Sequence, residues 1–288
     1  MRSFTVTLVQ MAPVLIKGMG LAEKVWNVER AAELLRAEWH TRVDRCVSGR
    51  WTDLVVLPEF IFDGPASTIG SLALSAENVT GGPAVDACTD LAHELDAPIL
   101  VPVYLGEEGA FYNSCMVVGP GVSGERVYRK MHTFPPEAAR VRRGGEFSLA
   151  VVGGARVGLQ ICYDLAFPEA ARVLRLRGAE VIVYPTMAPE WLMARFQVLA
   201  AARAIENQVF VAVVNAVGEH PRTGERLSGG SVVAWPDGRT LVLGKEETVL
   251  TVAFDLDELD TVRAGLDMTA DRVPAMYVGL VGVSGAVE

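Results

Sequence analysis

The chain has 288 residues, of which 50% are hydrophobic and 21% are charged, an ordinary balance for a globular protein. Its net charge of −9 argues against nucleic acid or an anionic membrane surface as the main partner. The sequence shows neither a signal-peptide core nor an apolar run long enough to span a bilayer, so we expect a soluble cytoplasmic protein. Widely spaced cysteines argue against a disulfide framework and fit a reducing compartment: Cys46, Cys88, Cys115 and Cys162.

Strands and helices alternate along most of the chain. Apolar runs and alternating patterns predict strands at Phe4–Gln10, Leu54–Leu57, Ile99–Tyr104, Phe111–Val118, Arg126–Arg129, Val157–Cys162, Val181–Tyr184 and Val209–Val214. Helical spacing predicts helices at Leu21–Glu38, Ala84–Leu95, Glu169–Leu174 and Trp191–Asn207. Hairpin strands follow at Gly230–Trp235, Thr240–Leu243 and Val249–Phe254. Crossovers mixed with hairpins indicate a layered α/β fold, and no Pro-, Gly- or Ser-rich linker divides it, so we predict one domain over residues 1–288.

Cys162 is the most informative residue, because it lies where a predicted strand runs into a predicted helix. The strand Val157–Cys162 is followed by Asp164 and Pro168, and Gly178 ends the helix. A thiol just upstream of helix amides can be held partly as thiolate by the helix dipole and nearby cations, as a nucleophile requires. The alternative is a small buried hydrophobic side chain, the usual state of a free cysteine.

Two further chemical groups come after predicted strands. Glu59 comes directly after the buried strand Leu54–Leu57, and Lys130 comes after the short strand Arg126–Arg129. Ligands of α/β folds gather outside the carboxyl ends of strands, so we expect Glu59, Lys130 and Cys162 to converge on one mouth. Taken singly, the glutamate is also consistent with a helix cap or a solvated carboxylate, and the lysine with a surface residue.

The sequence predicts neither a cofactor nor a metal. There is no phosphate-binding loop and no G-x-G-x-x-G, so a nucleotide cofactor has no support. The histidines lack the spacing of metal ligands: His40, His93, His132 and His220. Of the four, only His132 lies close in sequence to a candidate catalytic residue, Lys130. It is either part of the chemistry or a structural side chain.

Three motifs, in this order, resemble those of the nitrilase superfamily of carbon–nitrogen hydrolases. They are Leu57-Pro58-Glu59, Tyr128-Arg129-Lys130-Met131-His132 and Ile161-Cys162-Tyr163-Asp164-Leu165-Ala166-Phe167-Pro168-Glu169. Lesser matches extend the resemblance over most of the chain: Gln10-x-x-Pro13, Tyr112-Asn113-Ser114, Arg203–Gln208, Asn215-x-x-Gly218 and Gly230-Ser231. The resemblance implies a four-layer αββα sandwich that forms a homodimer or larger homo-oligomer, with the tail of about residues 265–288 in the oligomer contacts.

The resemblance also implies chemical roles in the hydrolysis of an amide. Cys162 is the nucleophile that attacks the carbonyl and forms a thioester. Glu59 takes the thiol proton, passes it to the departing amine and later activates water, which requires that burial raise its pKa. Lys130 is the fixed positive charge that faces the developing oxyanion, and the backbone N–H of Tyr163 is the second donor.

A second glutamate and a set of pocket residues complete the predicted site. Glu137 resembles the family's second active-site glutamate, which orients the lysine and the substrate, and Glu146 is its alternative. The side chains predicted to contact substrate are Tyr112, His132, Met187 and Trp191.

The substrate prediction depends on the residues that come directly after the nucleophile. The pair Tyr163-Asp164 resembles amidase branches, whereas Leu165 and Ala166 occupy positions where carboxylate-binding branches have arginine. We therefore predict a small neutral or mainly apolar amide, unless Arg142 or Arg143 supplies a clamp from another loop. The remaining alternatives are hydrolysis of N-carbamoyl compounds or nitriles, transfer of the acyl group to an amine, and a catalytically silent binding module.

Overall fold

The computed structural model describes residues 2–13, 21–42, 50–66, 68–220 and 223–281. Its strands are β1 Ser3–Gln10, β2 Leu54–Val56, β3 Ile99–Glu107, β4 Ala110–Val118, β5 Ser123–Gly124, β6 Val127–Arg129, β7 Ser148–Val152, β8 Ala155–Leu159, β9 Val181–Thr186, β10 Phe210–Asn215, β11 Val217–Glu219, β12 Arg226–Ser228, β13 Val232–Ala234, β14 Thr240–Val242 and β15 Thr248–Asp255. Its helices are α1 Leu21–Arg42, α2 Ile69–Ser75, α3 Pro83–Glu94, α4 Pro168–Leu176, α5 Glu190–Asn207, α6 Asp257–Gly265 and α7 Val278–Val281, with 3-10 helices at Cys162–Ala166 and Pro274–Tyr277. Cys46 and the last part of the predicted oligomer-contact tail, residues 282–288, lie outside the described residues.

Two mixed sheets form the middle of the molecule. The first has the strand order β15-β1-β2-β3-β4-β6, and the second has the order β14-β13-β10-β9-β8-β7-β5. Pairs joined by crossovers, such as β1–β2 and β9–β10, are parallel, whereas the hairpin pairs β3–β4 and β7–β8 are antiparallel. This mixture confirms the α/β fold class predicted from crossovers combined with hairpins.

The sheets pack face to face, and helices cover their outer faces. Val6 of the first sheet and Val213 of the second belong to one buried core. On the outer face of the first sheet, Leu35 of α1 packs in a core with Val55. Phe196 of α5 joins the core of the second sheet. The result is a four-layer αββα sandwich, which confirms the fold implied by the motifs. Among the described residues, no helix is long and apolar enough to cross a membrane.

Element boundaries differ from the prediction most at the candidate nucleophile. β8 ends at Leu159, and Cys162 begins a 3-10 helix that precedes α4, so the predicted strand up to Cys162 is too long. The prediction also missed α2, α6, β7 and the short strands β5, β11 and β12. Strands of two or three residues are too short to show a hydrophobic period.

A buried polar network joins the two sheets beside the loop that comes after β9. Asn215 Oδ1 accepts a hydrogen bond from Ala188 N–H at 2.8 Å, and Asn215 Nδ2 donates to the carbonyls of Ala188 at 3.0 Å and Gly229 at 2.8 Å. The N–H and hydroxyl of Ser231 both donate to Gln10 Oε1, at 3.0 and 2.8 Å. Gly229 has a φ of +63°, and a Cβ there would lie 2.4 Å from the Gln10 amide, so the site requires glycine. The network fixes the loop that carries Met187.

Candidate active site

Cys162 is held at a sharp turn between β8 and α4. Its φ is +46°, a left-handed conformation that costs a non-glycine residue about 1–3 kcal/mol and that its surroundings must maintain. The buried Asp164 carboxylate fixes the turn by accepting hydrogen bonds from Ile161 N–H at 2.9 Å, Tyr128 Oη–H at 2.8 Å and His132 N–H at 3.0 Å. The turn directs the Cys162 side chain into a cavity that it helps to line.

Arg203 of α5 braces the other end of the same turn. Its guanidinium, buried at 4% exposure, donates from Nε to the Leu165 carbonyl and from Nη2 to the Ala166 carbonyl, both at 3.2 Å. Nη1 pairs with Glu206 at 2.9 Å. The Arg203–Gln208 motif therefore contributes a structural support for the segment that carries Cys162.

Replacing Asp164 by asparagine is expected to destabilise the fold by about 1–3 kcal/mol and to lower turnover with it. The new amide nitrogen would face groups that are themselves donors, which leaves buried N–H groups without an acceptor. Urea unfolding measures the change in free energy, and Asp90→Asn, at an exposed position of α3, is the control. Equal stability of the two variants would contradict the structural role of Asp164.

Glu59 comes after β2 and is 1% exposed. Its Oε1 accepts hydrogen bonds from Lys130 Nζ and Asn113 Nδ2, both at 2.8 Å. Oε2 accepts one from the backbone N–H of Met187 at 3.2 Å, and the carboxylate lines the same cavity as the Cys162 thiol, whose pKa its charge raises. Glu59 therefore pairs with Lys130 and shares the cavity with Cys162, so the three predicted groups lie together.

Lys130 lies between two carboxylates. Its Nζ is 2.8 Å from Glu59 Oε1 and 2.7 Å from Glu137 Oε1, and the side chain is 1% exposed. Glu137 is fixed in turn by Phe134 N–H at 2.9 Å and by Asn113 Nδ2 at 3.2 Å. The predicted second glutamate therefore contacts the lysine, whereas its alternative, Glu146, is exposed and does not line the cavity.

The electrostatics of the cluster favour a neutral thiol beside a charged lysine. Burial, together with the charge of Glu59, raises the pKa of Cys162 well above its ordinary value, although Lys130 opposes the shift. Burial lowers the pKa of Lys130, but Glu137 and Glu59 raise it more, so its pKa lies well above the usual lysine range. Burial also raises the pKa of Glu59. Burial beside a carboxylate therefore opposes the partial ionisation that the helix dipole and nearby cations would favour.

The cluster opens into a cavity of about 150 Å³, a volume in which a benzene-sized molecule fits. Its wall is largely apolar and includes Phe60, Pro65, Ala66, Tyr104, Phe134, Val141, Met187, Pro189, Trp191 and Leu192. Met187 and Trp191 were predicted to contact substrate, and both line the cavity; Trp191 is 53% exposed. No group of three or more His, Cys, Asp or Glu side chains is arranged to hold a metal ion in the described parts of the chain.

Tyr112, predicted to contact substrate, does not line the cavity. The Arg129 guanidinium lies 5.6 Å from its ring centroid. Successive residues of a strand point to opposite faces, so it is the neighbouring Asn113 that reaches Glu59 and Glu137. The prediction missed Asn113, although its motif was noted, because only the register of β4 decides which face points inward.

His132, also predicted to contact substrate, lies behind the nucleophile and does not line the cavity. Its Nδ1 is 2.8 Å from Asp164 Oδ1, and its ring stacks on Phe167 at a centroid distance of 3.8 Å. The histidine therefore ties the segment after Lys130 to the turn that holds Cys162, which is the structural alternative left open by the sequence.

The two arginines predicted as alternative ligands of a substrate carboxylate also lie away from the cavity. Arg142 and Arg143 are exposed and do not line the cavity, and neither do Leu165 and Ala166. Among the described residues, the arginine that lines the cavity is Arg140, which the sequence analysis did not predict.

Known proteins resemble this chain over most of its length. The sequence profile described as "Carbon-nitrogen hydrolase" matches residues 5–264. The chain is 35% identical over 225 residues to an (R)-stereoselective amidase of a Pseudomonas species, covering 77% of this chain and 80% of that protein. The chain belongs to the carbon–nitrogen hydrolase family. It is a nitrilase-superfamily enzyme of the amidase type, a hydrolase that acts on C–N bonds.

Two further relatives agree with this assignment. The chain is 30% identical over 272 residues to an omega-amidase of Mus musculus, covering 87% of this chain and 91% of that protein. A carbon–nitrogen hydrolase structure from Helicobacter pylori G27 superimposes with a TM-score of 0.82 at 22% identity, covering 98% of this chain and 99% of the other. The second likeness shows that the fold is shared.

Proposed function

We propose that this enzyme hydrolyses small linear amides through a thioester on Cys162 and releases ammonia or an amine. The observation that carries the proposal is one buried cluster in which Glu59 pairs with Lys130 and lines the same cavity as the Cys162 thiol. The cluster opens into a cavity of a size that suits a small molecule. Relatives described as amidases support the same reaction class.

Acylation begins with the neutral thiol that the electrostatics favour. Glu59 takes the thiol proton while Sγ attacks the amide carbonyl, so an S–C bond forms and the carbonyl oxygen becomes an oxyanion. Lys130 Nζ and the N–H of Tyr163, which lies in the first turn of its 3-10 helix and has no partner within that helix, stabilise the negative charge. Glu59 then gives the proton to the amide nitrogen, the C–N bond breaks and the amine leaves.

In deacylation, the same groups hydrolyse the thioester. Glu59 takes a proton from water, the resulting hydroxide attacks the thioester carbonyl, and the oxyanion again faces Lys130. The C–S bond breaks, the carboxylic acid leaves, and the proton on Glu59 returns to the sulfur. Glu137 and Asn113 contact the lysine and Glu59 respectively, so we assign them the task of holding both groups in place.

The rate is expected to depend on pH through Glu59. Only the ionised carboxylate can accept the thiol proton, and burial raises its pKa, so kcat/KM should fall with decreasing pH at values above about 4.3, the ordinary glutamate pKa. Lys130 should keep its charge through the usual lysine range, because its pKa is also raised. Initial rates against pH for the wild type test this, and Glu59→Gln should lose the acidic limb. A profile that is flat down to about pH 4 would contradict the role of Glu59.

The substrate class is tested with amides, N-carbamoyl compounds and nitriles of matched acyl chain. Ammonia release from the amides is the expected result, and turnover confined to nitriles or N-carbamoyl compounds would contradict the proposal. Mass spectrometry of acid-quenched enzyme should show the acyl group on the peptide that contains Cys162. Added hydroxylamine tests whether the enzyme transfers the acyl group to an amine. If hydroxamate forms and no free acid does, the result would favour an acyltransferase instead.

A further inference from the structure

Arg140 occupies an unusual position in the substrate cavity. It lies on the turn that carries Glu137, where its backbone N–H donates to the Glu137 carbonyl at 2.8 Å, and its side chain lines the cavity. The turn thus places a second cation, besides Lys130, on a wall that is largely apolar.

The hydrogen-bonding capacity of Arg140 is only partly used by the residues that the structure describes. Nη2 donates to the carbonyl of Pro136, but the buried Nε has no acceptor. Among the residues that the structure describes, no carboxylate lies within 4.0 Å of the guanidinium. A buried donor without an acceptor is destabilising, and the guanidinium keeps donors that a bound group could satisfy.

The charges around the cavity point to the nature of that partner. Lys130 is already matched by Glu59 and Glu137, whereas Arg140 is a lining cation with no carboxylate of the described residues within 4.0 Å. The other lining carboxylate, Glu225, is exposed on the β11–β12 hairpin and accepts a hydrogen bond from the Thr223 hydroxyl at 3.1 Å. It forms no ion pair with Arg140 within 4.0 Å.

We propose that Arg140 is a specificity-determining residue that binds a carboxylate of the substrate, at the end of the acyl chain away from the scissile amide. This inference rests on the proposed function. A guanidinium presents a planar fork that matches two carboxylate oxygens, so a carboxylate in the cavity would supply Arg140 with both a counter-charge and hydrogen-bond acceptors. An alkyl chain would supply neither. The proposal replaces the sequence-based expectation of a neutral, mainly apolar amide.

The test compares the monoamide of glutaric acid, its methyl ester and pentanamide, which share one acyl length. The wild type should show a kcat/KM for the free acid at least about tenfold above that for the other two, because a hydrogen bond to a charged partner contributes that much. Arg140→Met, which keeps an unbranched side chain, should lower kcat/KM for the acid about 10- to 100-fold and leave pentanamide within about threefold. Arg142→Met removes an exposed arginine of the same loop outside the cavity and should change neither rate.

Each other outcome overturns the proposal in a recognisable way. Equal losses on the acid and on pentanamide in Arg140→Met would mean that the arginine supports the fold, since unchanged pentanamide turnover is the internal evidence of folding. Equal wild-type rates on the acid and its methyl ester would mean that Arg140 binds a neutral hydrogen-bond acceptor and not a carboxylate. If the wild type hydrolyses pentanamide but not the acid, only the carboxylate is wrong; if it hydrolyses no amide, the proposed function fails and this inference with it.

Discussion

Cys162→Ala is expected to lower kcat/KM for amide substrates by at least about 10⁴-fold while the enzyme remains folded. Without Sγ the thioester cannot form, and Glu59 and Lys130 are left to polarise a carbonyl that nothing attacks. Among the described residues, Cys162 is the cysteine that lines the cavity, whereas Cys88 and Cys115 are fully buried elsewhere. Neither of these two thiols is placed to replace Cys162.

Ammonia release and the acyl adduct, measured side by side, check this expectation. Cys88→Ala is the matched control, because it also deletes a buried thiol but does so on α3, away from the cavity. It should retain turnover and form the adduct, and Cys162→Ala should do neither. If Cys162→Ala kept turnover comparable with that of Cys88→Ala, the thioester route would be refuted.

Glu59, Lys130 and Cys162 were predictable because each comes after a strand in sequence. Glu59 comes after the buried strand β2 and Lys130 comes directly after β6, and the carboxyl ends of strands share an edge in an α/β fold. Local sequence therefore contains both the chemical group and its approximate place. The fold class was predictable in the same way, because the order of predicted strands and helices indicates crossovers mixed with hairpins.

Asn113 and Arg140 were not predictable on the same grounds. Asn113 lies in the middle of β4, where a shift of register by one residue would have pointed Tyr112 inward instead. Arg140 reaches the cavity through a turn fixed by the contacts of Glu137, which form only in the folded chain. The protonation of Cys162 is a third such property, because it depends on burial and on a carboxylate that is distant in sequence. Each is decided by long-range packing rather than by local pattern.

Lys130→Met is expected to have the second largest effect, and to act on both rate and stability. Removal of the cation takes away a donor to the oxyanion, which typically lowers kcat by about 10²–10³-fold. It also leaves Glu59 and Glu137 buried without their counter-charge, and breaking a buried ion pair in this way costs about 3–5 kcal/mol. Lys245→Met is the control, because that lysine pairs with Glu190 at the exposed surface and should affect neither property.

The pH dependence separates the two effects of Lys130→Met. Without the lysine, burial raises the pKa of Glu59 further, so the folded state binds a proton more tightly than the unfolded chain does. The stability lost in the variant should therefore be recovered at low pH and lost again as pH rises through the folded pKa, as urea unfolding at about pH 5 and about pH 8 would show. Turnover should stay low at both values, because protonation of a carboxylate does not restore a positive charge beside the oxyanion. Recovery of turnover together with stability would mean that Lys130 acts only by holding Glu59 and Glu137 together.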